Sequence, residues 1–276
     1  MIHPKYININ RILGAMTFLI SFIVYFDTMA PSVSYWDCGE FIAVSYTLGV
    51  PHPPGSPLFL LLGRIASMLP ISEDIAFRVN LLSPLASAFS VLFLYFIIVQ
   101  LVNHWRGKIE TNTDALIAFG AGIVGSLTFA FTDSHWFNAV EAEVYAFSTF
   151  FTAIVVWLAL LWSEKSDEKG NERYILIIAY MIGLATGLHL LNLLTIPFVA
   201  LLIYFKKYKF EWTSFSILVV VTGLVFFIIH NVIIKGMPKI ADAIGVSATA
   251  LLVIIIFASM VWAVLNQKQL LSIVLT

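Results

Sequence analysis

The chain has 276 residues, 60% hydrophobic and only 11% charged, with a mean hydropathy of +0.95, whereas a soluble domain carries about twice that share of charge. Its home is a bilayer. A net charge of −1 leaves no electrostatic footprint for nucleic acid, and the single cysteine, Cys38, excludes an internal disulfide framework and a paired-cysteine metal or redox site.

The first apolar run, Ile12 to Phe26, follows Lys5 and Arg11 in the manner of a signal sequence. Pro31 directly after Thr28-Met-Ala makes a poor cleavage site, so the run reads as an uncleaved first span near 11–29. A crossing takes about 20 apolar residues, and further spans are predicted near 79–102, 115–132, 144–162, 213–234 and 244–266. The uncharged run Tyr174 to Phe205 would be ~48 Å long as one straight helix, against a hydrocarbon core of ~30 Å. It is expected to divide into two short spans turning near Gly187-Leu-His-Leu-Leu-Asn192, for about eight transmembrane helices in an all-α, polytopic fold. One helix kinked at Pro197 is the competing reading and gives seven.

Positive charge arbitrates. With eight spans and the N-terminus inside, Lys5, Arg11, Arg106, Lys108, Lys165, Lys169, Arg173, Lys206, Lys207, Lys209 and Lys268 fall on the cytoplasmic side, and only Arg64, Arg78, Lys235 and Lys239 outside. Seven spans give a weaker asymmetry. The run Leu270 to Thr276 begins a further apolar segment without finishing it, so residues 1–276 read as a single transmembrane domain forming the N-terminal part of a longer protein.

The first outer loop, residues 30–77, is the sizeable one, and loops of such length carry function or are disordered. Phe41–Val50 and Pro57–Pro70 are too apolar for free coil and too short or interrupted to span, so they are expected as interfacial helices. Ahead of the first stand Asp37 and Glu40, three apart and on one face of a helix starting near Trp36. Two carboxylates at an interface shift each other's proton affinity, as a general base or cation site requires. They equally fit a capping box, Asp37 capping and Glu40 at the third helical position. Pro51-His-Pro-Pro-Gly-Ser-Pro57 fixes the backbone around His52, which suits either a preorganised site or a plain rigid turn. Arg64 and Arg78 could each clasp a phosphate; for Arg78 snorkelling to headgroups is the commoner fate.

The second outer loop, Asp133-Ser-His-Trp-Phe-Asn-Ala-Val-Glu-Ala-Glu-Val-Tyr145, brings His135, Glu141, Glu143 and Tyr145 to the same compartment. The two glutamates stand where an apolar span begins and hydrocarbon disfavours charge. His135, Glu141 and Glu143 match no specific metal-ligand spacing, so no metal site is assigned, although a divalent metal is not excluded. His189 and Asn192, at the expected deep turn, suit interhelical hydrogen bonds. Gly120-Ala-Gly-Ile-Val-Gly125 matches a dinucleotide fingerprint by letter, but it lies inside an apolar span with no strand before it, and small residues so spaced serve close helix contact.

Pro31-Ser-Val-Ser-Tyr-Trp-Asp-Cys-Gly-Glu-Phe41, His52-Pro-Pro-Gly-Ser-Pro-Leu58 and Leu62-Gly-Arg64 resemble the signature of the polytopic membrane family known as domain of unknown function 2723. That family is grouped as glycosyltransferase family 117, related to the transmembrane protein O-mannosyltransferases. Val140-Glu-Ala-Glu-Val-Tyr145 and Gly187-Leu-His-Leu-Leu-Asn192 extend the resemblance, more weakly, over residues 10–200. It implies a GT-C-like fold and transfer of a sugar from a polyprenyl-phosphate-linked donor to an acceptor protein or glycan, which with the charge asymmetry above is expected in the cell inner membrane, multi-pass with a cytoplasmic N-terminus and a periplasmic site. It also implies that a carboxylate just after the first span serves the reaction, a place Asp37 and Glu40 occupy, with His52, Arg64, Glu141, Glu143, Tyr145 and His189 as candidate substrate-binding residues. The rivals are a transporter, which would set such groups at mid-membrane on broken and repeated helices, and a non-catalytic scaffold.

Overall fold

A chain crossing hydrocarbon must satisfy its backbone N–H and C=O groups internally, which leaves helices or a closed barrel. In the computed structural model, which describes residues 2–53 and 55–265, the named elements are all helical. Pro54 and the apolar run Leu270–Thr276 lie outside the described residues. The chain forms two compact units, Met1–Lys209 and Phe210–Thr276.

In the first unit, α1 (Pro4–Asp27) leads to three short helices, α2 (Cys38–Thr47), α3 (Pro57–Met68) and α4 (Ile75–Asn80). There follow α5 (Leu82–Arg106), α6 (Asn112–Ala130), the short α7 (Asp133–Ala139), α8 (Val144–Lys165), α9 (Glu172–Thr186) and α10 (Thr195–Lys207). The second unit holds α11 (Trp212–Phe227), a π-helical continuation Ile228–Ile234, α12 (Gly236–Ile244) and α13 (Val246–Leu265). Among the described residues, six stretches are long and apolar enough to cross a membrane: Pro4–Asp27, Ile75–Arg106, Asn112–Ala130, Val144–Lys165, Leu190–Lys207 and Trp212–Ile244. The difference from the predicted eight lies in α9, with 15 residues, and in Val246–Ser259, an apolar helix of lesser length. Helices α2 and α3 are the pair expected between Phe41 and Pro70.

The long run Tyr174–Phe205 divides where predicted. Helix α9 stops at Thr186, and a 3-10 turn, Leu190–Leu194, leads into α10. Ile178 of α9 and Val199 of α10 both pack against Val155, Leu158 and Ala159 of α8. Lys207 Nζ at the end of α10 donates to Ser166 O at 2.9 Å, beside the connection from which α9 departs, so α10 returns to α9's starting end. Pro197 causes no kink because it sits in the first turn of α10, where its missing N–H would have no intrahelical partner.

Helix α5 is the hub of this unit, packed against α1, α6 and α8. Helix α1 turns Gly14, Thr17, Ser21 and Tyr25 inward. The Thr17 and Ser21 hydroxyls donate to the carbonyls of Gly14 and Thr17 at 2.8 Å each, and Tyr25 donates to Ala130 O of α6 at 2.8 Å, so the polar stripe is satisfied without water. A Cβ at Gly122 would stand 2.8 Å from Tyr95 and Val99 and one at Gly125 2.6 Å from Ile98, whereas Gly120 faces open space. The glycine pattern is thus the seat of α6 on α5. Large side chains such as Ile12, Leu116 and Val124 point outward, as hydrocarbon permits.

The two ends of the first unit differ in charge. Ile2 bridges to Ile109, His3 N donates to Ile109 O at 3.1 Å, and Tyr6 donates to Asn112 Oδ1 at 2.7 Å, which sets the start of α1 beside the α5–α6 turn. That end and the α8–α9 and α10 termini carry Lys5, Arg11, Arg106, Lys108, Lys165, Lys169, Arg173, Lys206, Lys207 and Lys209; the other end carries Arg64 and Arg78.

Gly122→Leu is expected to lower thermal stability by about 1–3 kcal/mol through overpacking, while Gly120→Leu leaves it nearly unchanged. Melting temperatures in detergent test the pair, and equal losses would contradict a glycine-mediated α5–α6 contact.

Candidate functional site

The loops at the end of the bundle away from Lys5 converge because apolar side chains from each share one cluster. Cys38, Phe41 and Ile42 of α2, Phe59 and Leu60 of α3, Ala76 and Val79 of α4, Ala142 and Val144 before and in α8, and Ala185 and Leu188 around the end of α9 bury together. On α2 the buried positions Cys38, Phe41, Ile42 and Ser45 follow helical spacing. Asp37 and Glu40 are therefore left on the water side of that helix.

Of the two readings of Asp37 and Glu40, the capping box does not form. Asp37 is the N-cap of α2, but its backbone has αR geometry in place of the extended form a capping side chain needs, and no side-chain cap hydrogen bond is made. Glu40 instead receives His52: the His52 N–H donates to Glu40 Oε1 at 2.7 Å, and the ring Nδ1 lies 2.7 Å from Glu40 Oε2. His52 Nε2 stands 3.9 Å from Asp37 Oδ2. The loop returns to α2 because Leu48 takes a left-handed conformation, φ 53°, and Pro51 and Pro53 stiffen the backbone on either side of His52. It is pinned beyond by Ser56 Oγ donating to Leu188 O and the Leu58 N–H to Gly187 O, both at 2.8 Å. Trp36 and Ser56 also have positive φ, so non-glycine backbone strain clusters around Asp37, Glu40 and His52.

The charges interact. The hydrogen bond from His52 holds the Glu40 carboxyl below its ordinary value, and the bond to Glu40 raises the His52 imidazole. The stabilisation that the His52 proton gives the loop is fully present below the ordinary 6.5 and is lost as pH rises through the elevated value. The Glu40 share is present above 4.5 and is lost as pH falls through the depressed value. Glu143, at the N-cap of α8, is 5% exposed, and burial pushes its carboxyl up to about 7, the negative charges of Asp37 and Glu141 adding to the effect. Glu141 is 2% exposed, and its Oε1 has no hydrogen-bond partner among the described residues. One atom each from Asp37, Glu40 and His52 lie within 4.8 Å of one another, so these three could jointly ligate a divalent cation that displaced the imidazole proton.

The other candidates lie elsewhere. Arg64 donates to Tyr46 O at 2.6 Å and stacks over the Tyr46 ring, at the end of α2 away from Glu40. Arg78 donates to Ser67 O at 2.6 Å and Glu73 O at 3.2 Å, closing the α3–α4 turn. His135 is buried against Phe129, ring centroids 4.3 Å apart, and burial pushes its imidazole down to about 4; the acidic group that the structure gathers around a histidine is the one at His52. Tyr145 is exposed, with its ring 5.1 Å from that of His189, whose Nδ1 accepts from the Leu191 N–H. Asn192 makes the expected interhelical bond, accepting from Thr152 Oγ1 of α8 at 3.1 Å.

Two residues escaped the sequence reading. Asn80, fully buried, donates to Ala30 O and Ser32 O at 2.8 Å each and accepts from the Ala142 N–H at 3.0 Å and Cys38 Sγ at 3.6 Å. Ser83, one turn on, accepts from the Glu143 N–H at 3.4 Å. Their one signal is a polar group where an apolar span begins.

The family model for the N-terminal domain of protein O-mannosyl-transferase TMEM260 matches residues 37–212, starting at Asp37 and taking in each of the loops that meet here. The chain belongs to this family. It is 30% identical over 227 residues to protein O-mannosyl-transferase tmem260 of Dictyostelium discoideum, covering 77% of this chain and 25% of the relative. It is 29% identical over 162 residues to protein O-mannosyl-transferase TMEM260 of Mus musculus, covering 59% of this chain and 21% of the relative. The chain thus spans about a quarter of the length of these relatives, and no solved structure matches it.

In a histidine-labelled NMR titration, His52 is expected to titrate above 6.5 and to fall back toward that value in Glu40→Gln. An unchanged His52 curve in the variant would contradict the pairing.

Proposed function

We propose that the chain forms the reacting end of a GT-C-type membrane glycosyltransferase, moving a sugar from a polyprenyl-phosphate-linked donor to a hydroxyl, that of a protein serine or threonine, on the periplasmic face of the inner membrane. The names of the curated relatives, protein O-mannosyl-transferases, support the reaction class. The basic end of the first unit supports the orientation, since positive charge marks the cytoplasmic side. The observation that carries the reading is the geometry of the acids: Asp37, more than half exposed and bound to no hydrogen-bond donor among the described residues, stands beside a histidine that Glu40 holds in place.

In this reaction the acceptor oxygen forms a bond to the anomeric carbon while its proton passes to Asp37. The bond from that carbon to the phosphate oxygen breaks, and the lipid phosphate leaves with the electron pair. His52, whose proton affinity the hydrogen bond to Glu40 raises, supplies a donor to the charge growing on the phosphate. Glu143, buried and raised toward neutrality, limits the negative charge accumulating at the rear of the site. The exposed Tyr145 ring and the half-buried His189 ring beside it offer a surface for a sugar face, and Arg64, at the far end of α2, a cation nearer the lipid headgroups.

Asp37→Asn should leave the melting temperature and helix content unchanged while sugar transfer from a polyprenyl-phosphate donor to a serine- or threonine-bearing peptide falls about 10²–10⁴-fold, the usual worth of a general base. Full activity in that variant removes Asp37 from the mechanism. Uptake of the sugar by vesicles holding the full-length protein, with no transfer to peptide, would favour a transporter.

A further inference from the structure

We propose a second binding site at the basic end of the first unit: a cleft between α1 and α8 that holds one singly charged anionic phospholipid, its headgroup on Arg11 and Lys165 and its chain along Phe96, Trp157 and Leu161. This inference is independent of the proposed transfer reaction.

The cleft follows from the helix arrangement. Helix α5 packs against both α1 and α8, and the space above it between those two has a volume of about 490 Å³, within the ~300–1,000 Å³ of small-molecule sites. Phe96, Val99, Gln100 and Asn103 of α5 form the floor, Ile7, Asn10 and Arg11 one wall, and Trp157, Leu161, Glu164 and Lys165 the other. From Trp157 to Lys165 the wall rises about 12 Å, enough for a phosphate, a glycerol and the first methylenes of a chain.

The polar groups point to the headgroup. Arg11 and Lys165 have no ion-pair partner among the described residues, whereas Lys207 at the same end is paired with Asp167 at 3.7 Å. The amide oxygen and nitrogen of Gln100 are buried without hydrogen-bond partners among the described residues, an arrangement that costs free energy until a ligand satisfies it. Asn10 accepts from the Tyr95 hydroxyl at 3.0 Å and is already engaged. Glu164, on the rim, offsets one of the two cations, so a singly charged headgroup fits and a polyanionic one does not. A soluble anion would leave the aromatic walls uncovered. An apolar segment of the same protein would leave Arg11, Lys165 and Gln100 unpaired. Basic clefts between membrane helices at a cytoplasmic interface hold anionic headgroups by this chemistry.

Native mass spectrometry of the full-length protein, given phosphatidylglycerol or phosphatidylcholine with the same chains, tests the site. Phosphatidylglycerol should be retained preferentially, and its retention should fall about tenfold or more in Arg11→Gln/Lys165→Gln, as two lost cation contacts at a lipid surface predict. Lys108→Gln/Lys169→Gln removes the same charge outside the cleft and should leave retention within about twofold of the native protein. Equal retention of the two lipids, no loss in the first variant, or the same loss in both variants overturns the proposal. So does full displacement of the lipid by glycerol phosphate, which would make this a soluble-anion site. If the first variant fails to fold, quenching by phosphatidylglycerol with brominated chains decides: it should be weaker in Trp157→Phe than in the native protein, and equal quenching overturns the assignment.

Discussion

One buried amide joins three segments at the end of the bundle that carries Asp37 and Glu40. Asn80 spends both its donors on the carbonyls of Ala30 and Ser32, and its oxygen takes the Ala142 N–H and the Cys38 thiol. It thereby ties the exit of α1, the start of α2 and the segment before α8 to the end of α4, just ahead of α5. A backbone bond from the Ala30 N–H to Val140 O at 2.8 Å runs beside it. A buried amide with its donors and acceptor used is rigid and specific, and one deprived of partners is costly. Asp37 and Glu40 lie within three residues of Cys38, and Glu141 and Glu143 flank Ala142. Asn80 therefore works together with the shared apolar cluster to bring the acids of the two loops to one place.

That constraint explains the electrostatics. Glu143 is buried because Val144 and Ala142 belong to the apolar cluster, and its carboxyl is raised mainly by that burial. Glu40 and His52 remain at the surface, where their mutual hydrogen bonds, and not burial, set their proton affinities. The result is a graded site, with an ion pair outside, a carboxyl near neutrality within, and Asp37 open to solvent beside them. At the opposite end basic side chains predominate, so one bundle presents two chemistries to the two faces of a membrane.

Much of this was legible in the sequence, for physical reasons that can be named. Apolar runs of sufficient length can only be helices in a bilayer, and the division of Tyr174–Phe205 follows from its excess length. The short helices α2 and α3 follow from runs too short to span. What the sequence hid depends on contacts between distant segments. Asn80 was read as part of an apolar span because local hydropathy cannot tell a buried hub from a tolerated polar residue. The Glu40–His52 pair needs the left-handed turn at Leu48, a position where no glycine announces it. Asp37 and Glu40 carry the spacing of a capping box, but the pull of His52 on Glu40 wins. By type and place Arg64 suits a phosphate clasp, but its guanidinium meets the carbonyl and ring of Tyr46.

The central claim is that a single side chain couples the two acidic loops. Amide hydrogen exchange on Asn80→Leu, which keeps the branched outline of the side chain and removes the bonds, tests it most directly. Protection at residues 28–48 and at 140–145 should fall together while α6 retains its own. Undiminished protection in both loops, or loss in one alone, would contradict the account.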